Sequence, residues 1–193
     1  MVKKVFTTFA ALFAKNRYVT FALSVIPFCF AAGLLAYTEK NREQTNSEGV
    51  VGGFGASHTA WREALTIIIL CTFIIGSFGL IFKSQNLVAV CGVLQKWCAV
   101  AMFVVASFDQ DTAATFCKDN PEACDPQKMA GVDPNQLTTN LGIAPWLGYI
   151  CTIIWFCNGA VLRQHAAMLQ QEADEAHAAA GGNLETAAPY SGA

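Results

Sequence analysis

Four long apolar runs constrain this chain more than any other feature. A helix needs about 20 apolar residues to cross the hydrocarbon core of a bilayer. Each run approaches or reaches that length and contains no Asp or Glu. The pattern predicts an all-α integral membrane protein, a bundle of four transmembrane helices. The predicted spans are residues 18–37, 64–82, 87–108 and 146–162.

The composition agrees with a membrane protein. Of the 193 residues, 54% are hydrophobic and 13% are charged, whereas soluble domains are about one quarter charged. A soluble bundle of this size could not bury four helices that are apolar on every face. The formal net charge is −2, and the predicted helices carry no cluster of Lys or Arg. No nucleic-acid partner is therefore expected.

The positions of Lys and Arg predict that both termini lie on the inner side. Four basic residues precede the first span, whereas the first acidic residue is Glu39. By the positive-inside rule this end stays on a cytoplasmic or matrix-like side, and four spans return the C-terminus to it. Over the whole chain the excess of Lys and Arg on the inner side is smaller. Outside the spans, six basic residues lie on the predicted inner side and five on the outer side. The sequence leaves open whether the membrane is a plasma membrane or an organelle inner membrane.

The segments outside the spans have distinct predicted roles. Residues 1–17 are expected to form an amphipathic helix in the interface plane, because their apolar residues share one face between lysines. Residues 163–180 continue the fourth helix on the inner side, and Gly181 and Gly182 are expected to end it. Residues 181–193 are predicted to be a flexible tail.

The eight cysteines fall into two groups. Cys117 and Cys124 lie seven positions apart in the second predicted outer loop, residues 109–145, and they are the natural disulfide pair if that compartment is oxidising. No histidine or third cysteine accompanies them there, which disfavours a metal site. The other six lie within spans and are expected to act as small apolar packing residues: Cys29, Cys71, Cys91, Cys98, Cys151 and Cys157.

Signatures of common membrane enzymes are absent from the sequence. Quinone-linked enzymes that form disulfides need a reactive C-x-x-C, and none occurs here. The three histidines, His58, His165 and His177, lie outside the spans, so paired haem ligation across helices is excluded. The spans also lack the carboxylates of a di-metal site. No catalytic residue, cofactor or metal is predicted, and the protein is not expected to be an enzyme.

One charged residue, Lys96, lies close to the middle of the third span. It is about 14 Å from the inner start of that span, near the bilayer midplane. A charge at this depth costs about 3 kcal/mol on insertion scales. The nearest candidate polar residues are Gln95 and Asn158. The sequence leaves open whether Lys96 is neutral, reaches a wet cavity, is simply tolerated, or meets a counter-charge from another subunit or a lipid phosphate.

Small residues predict close helix packing. Gly76, Gly79, Ala99 and Ala106 lie on helix faces that neighbours can approach. The sequence does not decide whether those neighbours belong to this bundle or to another chain.

The leading hypothesis is a non-catalytic membrane protein, a scaffold or accessory subunit of a larger membrane complex. Its expected partners are membrane lipids and either other membrane subunits or further copies of itself. The alternative is a small homo-oligomeric channel or carrier in which Lys96, Gln95 and Asn158 line the path.

Overall fold

The computed structural model describes residues 10, 12–48, 56–119 and 134–185. This part of the chain is helical throughout apart from short turns, and each of its four long helices contains a stretch that is long and apolar enough to cross a membrane. The predicted all-α fold with four membrane-length helices is confirmed. The helices are α1 (Arg17–Glu48), α2 (Ala56–Ile81), α3 (Gln85–Asp119) and α4 (Pro134–Glu185).

The helices are longer than the predicted spans. α3 continues to Asp119 and α4 already begins at Pro134, so both enter the segment expected to be the second outer loop. α4 also passes through Gly181 and Gly182 instead of ending there. Glycine costs about 1 kcal/mol inside a helix but ends it only where the chain turns into the left-handed conformation.

That left-handed turn occurs between α2 and α3, at a lysine. Lys83 has φ of 53°, and the Ser84 N–H donates to the Gly79 carbonyl at 2.8 Å. This is the hydrogen bond of a Schellman motif, which closes a helix end and reverses the chain. The tight turn packs α2 and α3 as an antiparallel hairpin.

The core lies between all four helices. α3 packs against both α2 and α4. α1 also packs against α2 and α4, on the side away from α3. The largest buried side chain is Trp155 of α4, and it joins residues from every helix in one cluster. On the opposite face each helix exposes large apolar side chains such as Ile74 and Phe103. Such a surface fits hydrocarbon better than water.

The N-terminal residues close one end of the bundle. At one end Ala10 and Ala14 pack against α4 at Ala160 and Val161, and His165 Nδ1 donates to the Ala14 carbonyl at 2.7 Å. We call this the tail end. We call the opposite end, where α2 begins, the loop end. Of the predicted interfacial helix 1–17, residues 1–9 and 11 lie outside the described residues, and residues 12–14 are helical.

Candidate functional site

Gln95 and Asn158 form a hydrogen bond in the middle of the bundle. Asn158 Nδ2 donates to Gln95 Oε1 at 2.7 Å and joins α4 to α3. Gln95 is 1% exposed and Asn158 is 5% exposed. Two amides at this depth need partners, because an unsatisfied polar group in an apolar interior costs about 1–3 kcal/mol.

The hydrogen-bonded pair extends to the other two helices. Gln95 Nε2 lies 3.4 Å from Thr72 Oγ1 of α2, and the Thr72 hydroxyl donates to the Ile69 carbonyl at 2.8 Å. On the other side Ser24 Oγ of α1 lies 3.4 Å from Asn158 Oδ1. We call Ser24, Thr72, Gln95 and Asn158 the polar network. Since each helix contributes one member, the network specifies the register of the whole bundle.

The energy of the polar network is modest. Hydrogen bonds between membrane helices contribute about 0.6 kcal/mol on average and at most about 1.7 kcal/mol. Among the interhelical hydrogen bonds of the polar network only Gln95–Asn158 is short, so it is the strongest of them. The main effect is on specificity, because any shift of α4 along α3 leaves two buried amides unsatisfied.

Lys96 follows Gln95 in the sequence but lies outside this network. One residue step turns about 100° around a helix, so Lys96 lies on a more exposed face of α3 while Gln95 faces the core. Its Nζ lies 5.5 Å from the centroid of the Phe156 ring, within the range of a cation–π contact. The structure therefore brings Gln95 and Asn158 together and separates Lys96 from both.

α3 and α4 touch backbone to backbone beside Lys96. A Cβ built on Gly159 would lie 2.7 Å from the Gly92 carbonyl oxygen, and one built on Gly92 would lie 2.9 Å from the Gly159 carbonyl oxygen. Only glycine fits at either position. A second close contact lies toward the loop end, where a Cβ on Gly148 would lie 2.7 Å from the Ala106 Cβ.

The stems of two cations cover the glycine contact. A Cβ on Gly159 would meet Lys96 Cγ at 3.0 Å, and a Cβ on Gly92 would meet Arg163 Cγ at 2.9 Å. Lys96 and Arg163 line one surface groove together with Val93, Trp97 and Val100, with a volume of about 210 Å³. We call these five residues the cation groove. Within the described ranges no carboxylate forms an ion pair with either cation.

An ion pair closes the loop end of the bundle. Arg62 of α2 and Asp109 of α3 form a salt bridge, and their exposed fractions are only 7% and 8%. Both residues lie just beyond the predicted spans, in segments that were expected to be outer loops. Their pairing was not predicted. The sequence did contain a signal for this ion pair: a basic and an acidic residue lie just outside the ends of two consecutive spans that meet on the same side of the membrane.

Other members of the site were also missed from the sequence. Ser24 and Thr72 look like ordinary small polar residues within spans, and Arg163 was counted only as an inner charge. The available signal was a repeated spacing, since Gly92 precedes Lys96 by four positions and Gly159 precedes Arg163 by four. Residues at i and i+4 share one helix face, so each cation stands next to a glycine on its own helix.

The predicted Cys117–Cys124 disulfide remains a prediction. Cys124 lies outside the described residues, as does the side chain of Cys117 at the end of α3. The six span cysteines are free thiols: Cys91, Cys98 and Cys151 are buried, Cys157 is half-buried, and Cys29 and Cys71 are exposed. Among the residues that the structure describes, no group of three or more His, Cys, Asp or Glu is placed to hold a metal ion.

Fold and site together define a class: an integral membrane bundle of four helices joined by a polar network, with a cationic groove on one face. Comparisons with protein-family models, with curated proteins and with solved structures gave no match.

Proposed function

We propose that this protein is a non-catalytic membrane subunit, a scaffold or accessory chain that anchors a larger complex. The observation that carries the proposal is the exposed C-terminal part of α4. The helix has 52 residues and a length of about 78 Å, more than twice the hydrocarbon thickness of a bilayer. Residues 170–179 are all exposed. We call residues 170–185 the arm.

An isolated arm of this kind is poorly stabilised on its own. The last residue of α4 that packs on the bundle core is Met168, and the exposed residues 170–179 that follow span about 15 Å of helix. A short helix that is polar on all sides is marginal in water and gains stability mainly by docking. The one internal side-chain bond described there joins Gln171 Nε2 to Glu175 Oε1 at 2.8 Å, and exposed pairs of this type contribute little.

The charge of the arm suggests the chemistry of its partner. The arm contains four acidic residues and no Lys or Arg, so a basic surface on another subunit complements it. In this proposal the tail end faces the cytoplasmic or matrix-like side, as the positive-inside rule predicts. The loop end then faces the compartment in which Cys117 and Cys124 form their disulfide.

The test is purification of the native complex in a mild detergent, followed by native gel electrophoresis and mass spectrometry. We expect other chains in fixed ratio with this one. Reversing two arm charges, Glu172→Lys with Glu175→Lys, should lower the recovered partner about tenfold or more, because like charges then face each other. The matched control is Asp111→Lys, an exposed acid on α3 near the opposite end.

Two outcomes contradict the proposal. One is a wild-type protein that always migrates alone or only with copies of itself. The other is an arm variant that retains its partners as well as the Asp111→Lys control does.

A homo-oligomeric channel or carrier is the second candidate. It draws support from the cation groove, because several copies around an axis could direct Lys96 and Arg163 toward a shared path for anions. Gln95 and Asn158 are already bonded inside the bundle, so Lys96 is the predicted path residue that remains at the surface. Liposome flux that is lost in Lys96→Met while the oligomer persists would support this candidate.

A further inference from the structure

The cation groove holds two positive side chains from neighbouring helices. α3 and α4 are antiparallel, and their glycine contact places Lys96 level with Gly159 and Arg163 level with Gly92. The two residues are therefore about 6 Å apart along the bundle, with Lys96 on the loop-end side. Both line the same groove, and the Lys96 Nζ lies over the Phe156 ring.

This arrangement lacks its counter-charge within the part of the chain that the structure describes. Each cation in contact with hydrocarbon is costly, and mutual repulsion adds to the cost. Their position on an outer face, beside Trp97 with 69% of its surface exposed, makes the groove accessible from the membrane. An anion that binds between the two cations offsets both costs.

The depth of the groove restricts what that anion can be. Arg163 is level with Gly92, about 10 Å along α3 from its tail-end start at Gln85, and Lys96 lies about 6 Å deeper. A headgroup entering from the tail-end interface meets Arg163 first, and local thinning of the bilayer lets it approach Lys96. The apolar walls, Val93, Trp97 and Val100, suit an acyl chain.

A second copy of this chain does not supply the charge. The described carboxylates lie toward the loop end, as Glu63 and Asp109 do, or on the C-terminal part of α4 beyond the groove, as Glu172 does. A copy with the same orientation therefore places no carboxylate opposite Lys96.

We propose that the cation groove binds one anionic phospholipid, with its phosphate between Arg163 and Lys96 and an acyl chain along Trp97. This site does not depend on the accessory-subunit function, since a lipid can occupy the groove whether or not the arm has a partner. It assigns Lys96 a counter-charge without any change in the bundle.

The experiment uses Trp97 as the reporter. The full-length protein is reconstituted into phosphatidylcholine vesicles that contain a small fraction of brominated lipid, either phosphatidylglycerol or phosphatidylcholine. Bromine quenches tryptophan at contact distance, and the difference between wild type and Trp97→Phe isolates the signal of Trp97. We expect brominated phosphatidylglycerol to quench Trp97 at a several-fold lower fraction than brominated phosphatidylcholine.

Removal of either cation should weaken this preference about fivefold. Lys96→Met and Arg163→Met keep the stems that cover the glycine contact, and circular dichroism verifies that each variant is folded. The matched control is Lys15→Met, an exposed basic residue at the tail end outside the groove. It should leave the preference unchanged.

Three results would overturn the proposal. Equal quenching by the two lipids shows that the groove does not select a charge, and an equal loss in Lys15→Met shows that the preference is a general surface effect. In the third, native mass spectrometry shows that Lys96→Met releases another protein chain while lipid preference is unchanged. The anion would then be an acidic side chain of a partner helix.

Discussion

The close contact of α3 and α4 yields the sharpest prediction, a comparison of two glycine-to-alanine variants. In Gly159→Ala the new methyl group would lie 2.7 Å from the Gly92 carbonyl oxygen. Carbon and carbonyl oxygen normally approach to about 3.3 Å, so the helices must separate by roughly 0.6 Å or more. In Gly33→Ala, on α1, the methyl group meets nothing within 4 Å.

The magnitude follows from two opposing terms. Replacing glycine by alanine inside a helix contributes about 1 kcal/mol of stability through propensity, and this term is common to both variants. Overpacking at Gly159 costs about 1–3 kcal/mol. The two free energies of unfolding should therefore differ by about 1–3 kcal/mol, with Gly33→Ala the more stable variant. Asn158 is the adjacent residue, so separation of the helices also lengthens its bond to Gln95.

The assay is reversible unfolding of the purified protein by titration with a denaturing detergent, followed by far-ultraviolet circular dichroism. Wild type, Gly159→Ala and Gly33→Ala are measured under identical conditions, so the reference state is shared. If the free energies of unfolding of the two variants differ by less than about 0.5 kcal/mol, α3 and α4 do not pack through the backbone contact at Gly92 and Gly159.

Three further perturbations test the rest of the bundle in the same assay. A double-mutant cycle of Gln95→Leu and Asn158→Ala should give a coupling of about 0.6–1.7 kcal/mol, and a coupling near zero would contradict the polar network. Arg62→Met should destabilise the protein by about 3–5 kcal/mol, because it removes the arginine that pairs with the buried Asp109 carboxylate. The double variant Arg62→Met with Asp109→Leu should recover part of the lost stability. If it recovers none, the ion pair is contradicted. Lys83→Gly should stabilise the protein by about 0.5–1 kcal/mol, because glycine adopts positive φ without the steric cost that lysine has; a destabilised variant would contradict the turn geometry.

The polar network and the cation groove divide the polar residues of the spans into two functions. Gln95 and Asn158 satisfy each other inside the bundle and fix its register. Lys96, one residue away, contributes nothing to that network and lies toward the surface instead. Because Lys96 makes no contact within the polar network, a lipid or partner bound to it would leave the hydrogen bond between Gln95 and Asn158 intact.

The sequence by itself determined the four helices and their type. Runs of about 20 apolar residues without carboxylates can be satisfied only as membrane helices, because the backbone must bond to itself wherever water is absent. The positions of Gln95, Asn158 and Lys96 within their spans were also readable, since depth follows directly from the rise per residue. Small residues such as Gly79 and Ala106 were correctly predicted to lie at close packing surfaces, and both contact neighbouring helices within the bundle.

Only the tertiary structure decided which faces meet. An apolar span is hydrophobic on every side, so its sequence has too weak a periodicity to show which side packs against protein and which against lipid. The pairing of Gln95 with Asn158, and of Arg62 with Asp109, depends on rotations of helices that are far apart in sequence. The same holds for Arg163 and Lys96. They line one groove because the contact of Gly92 with Gly159 sets how α3 and α4 cross.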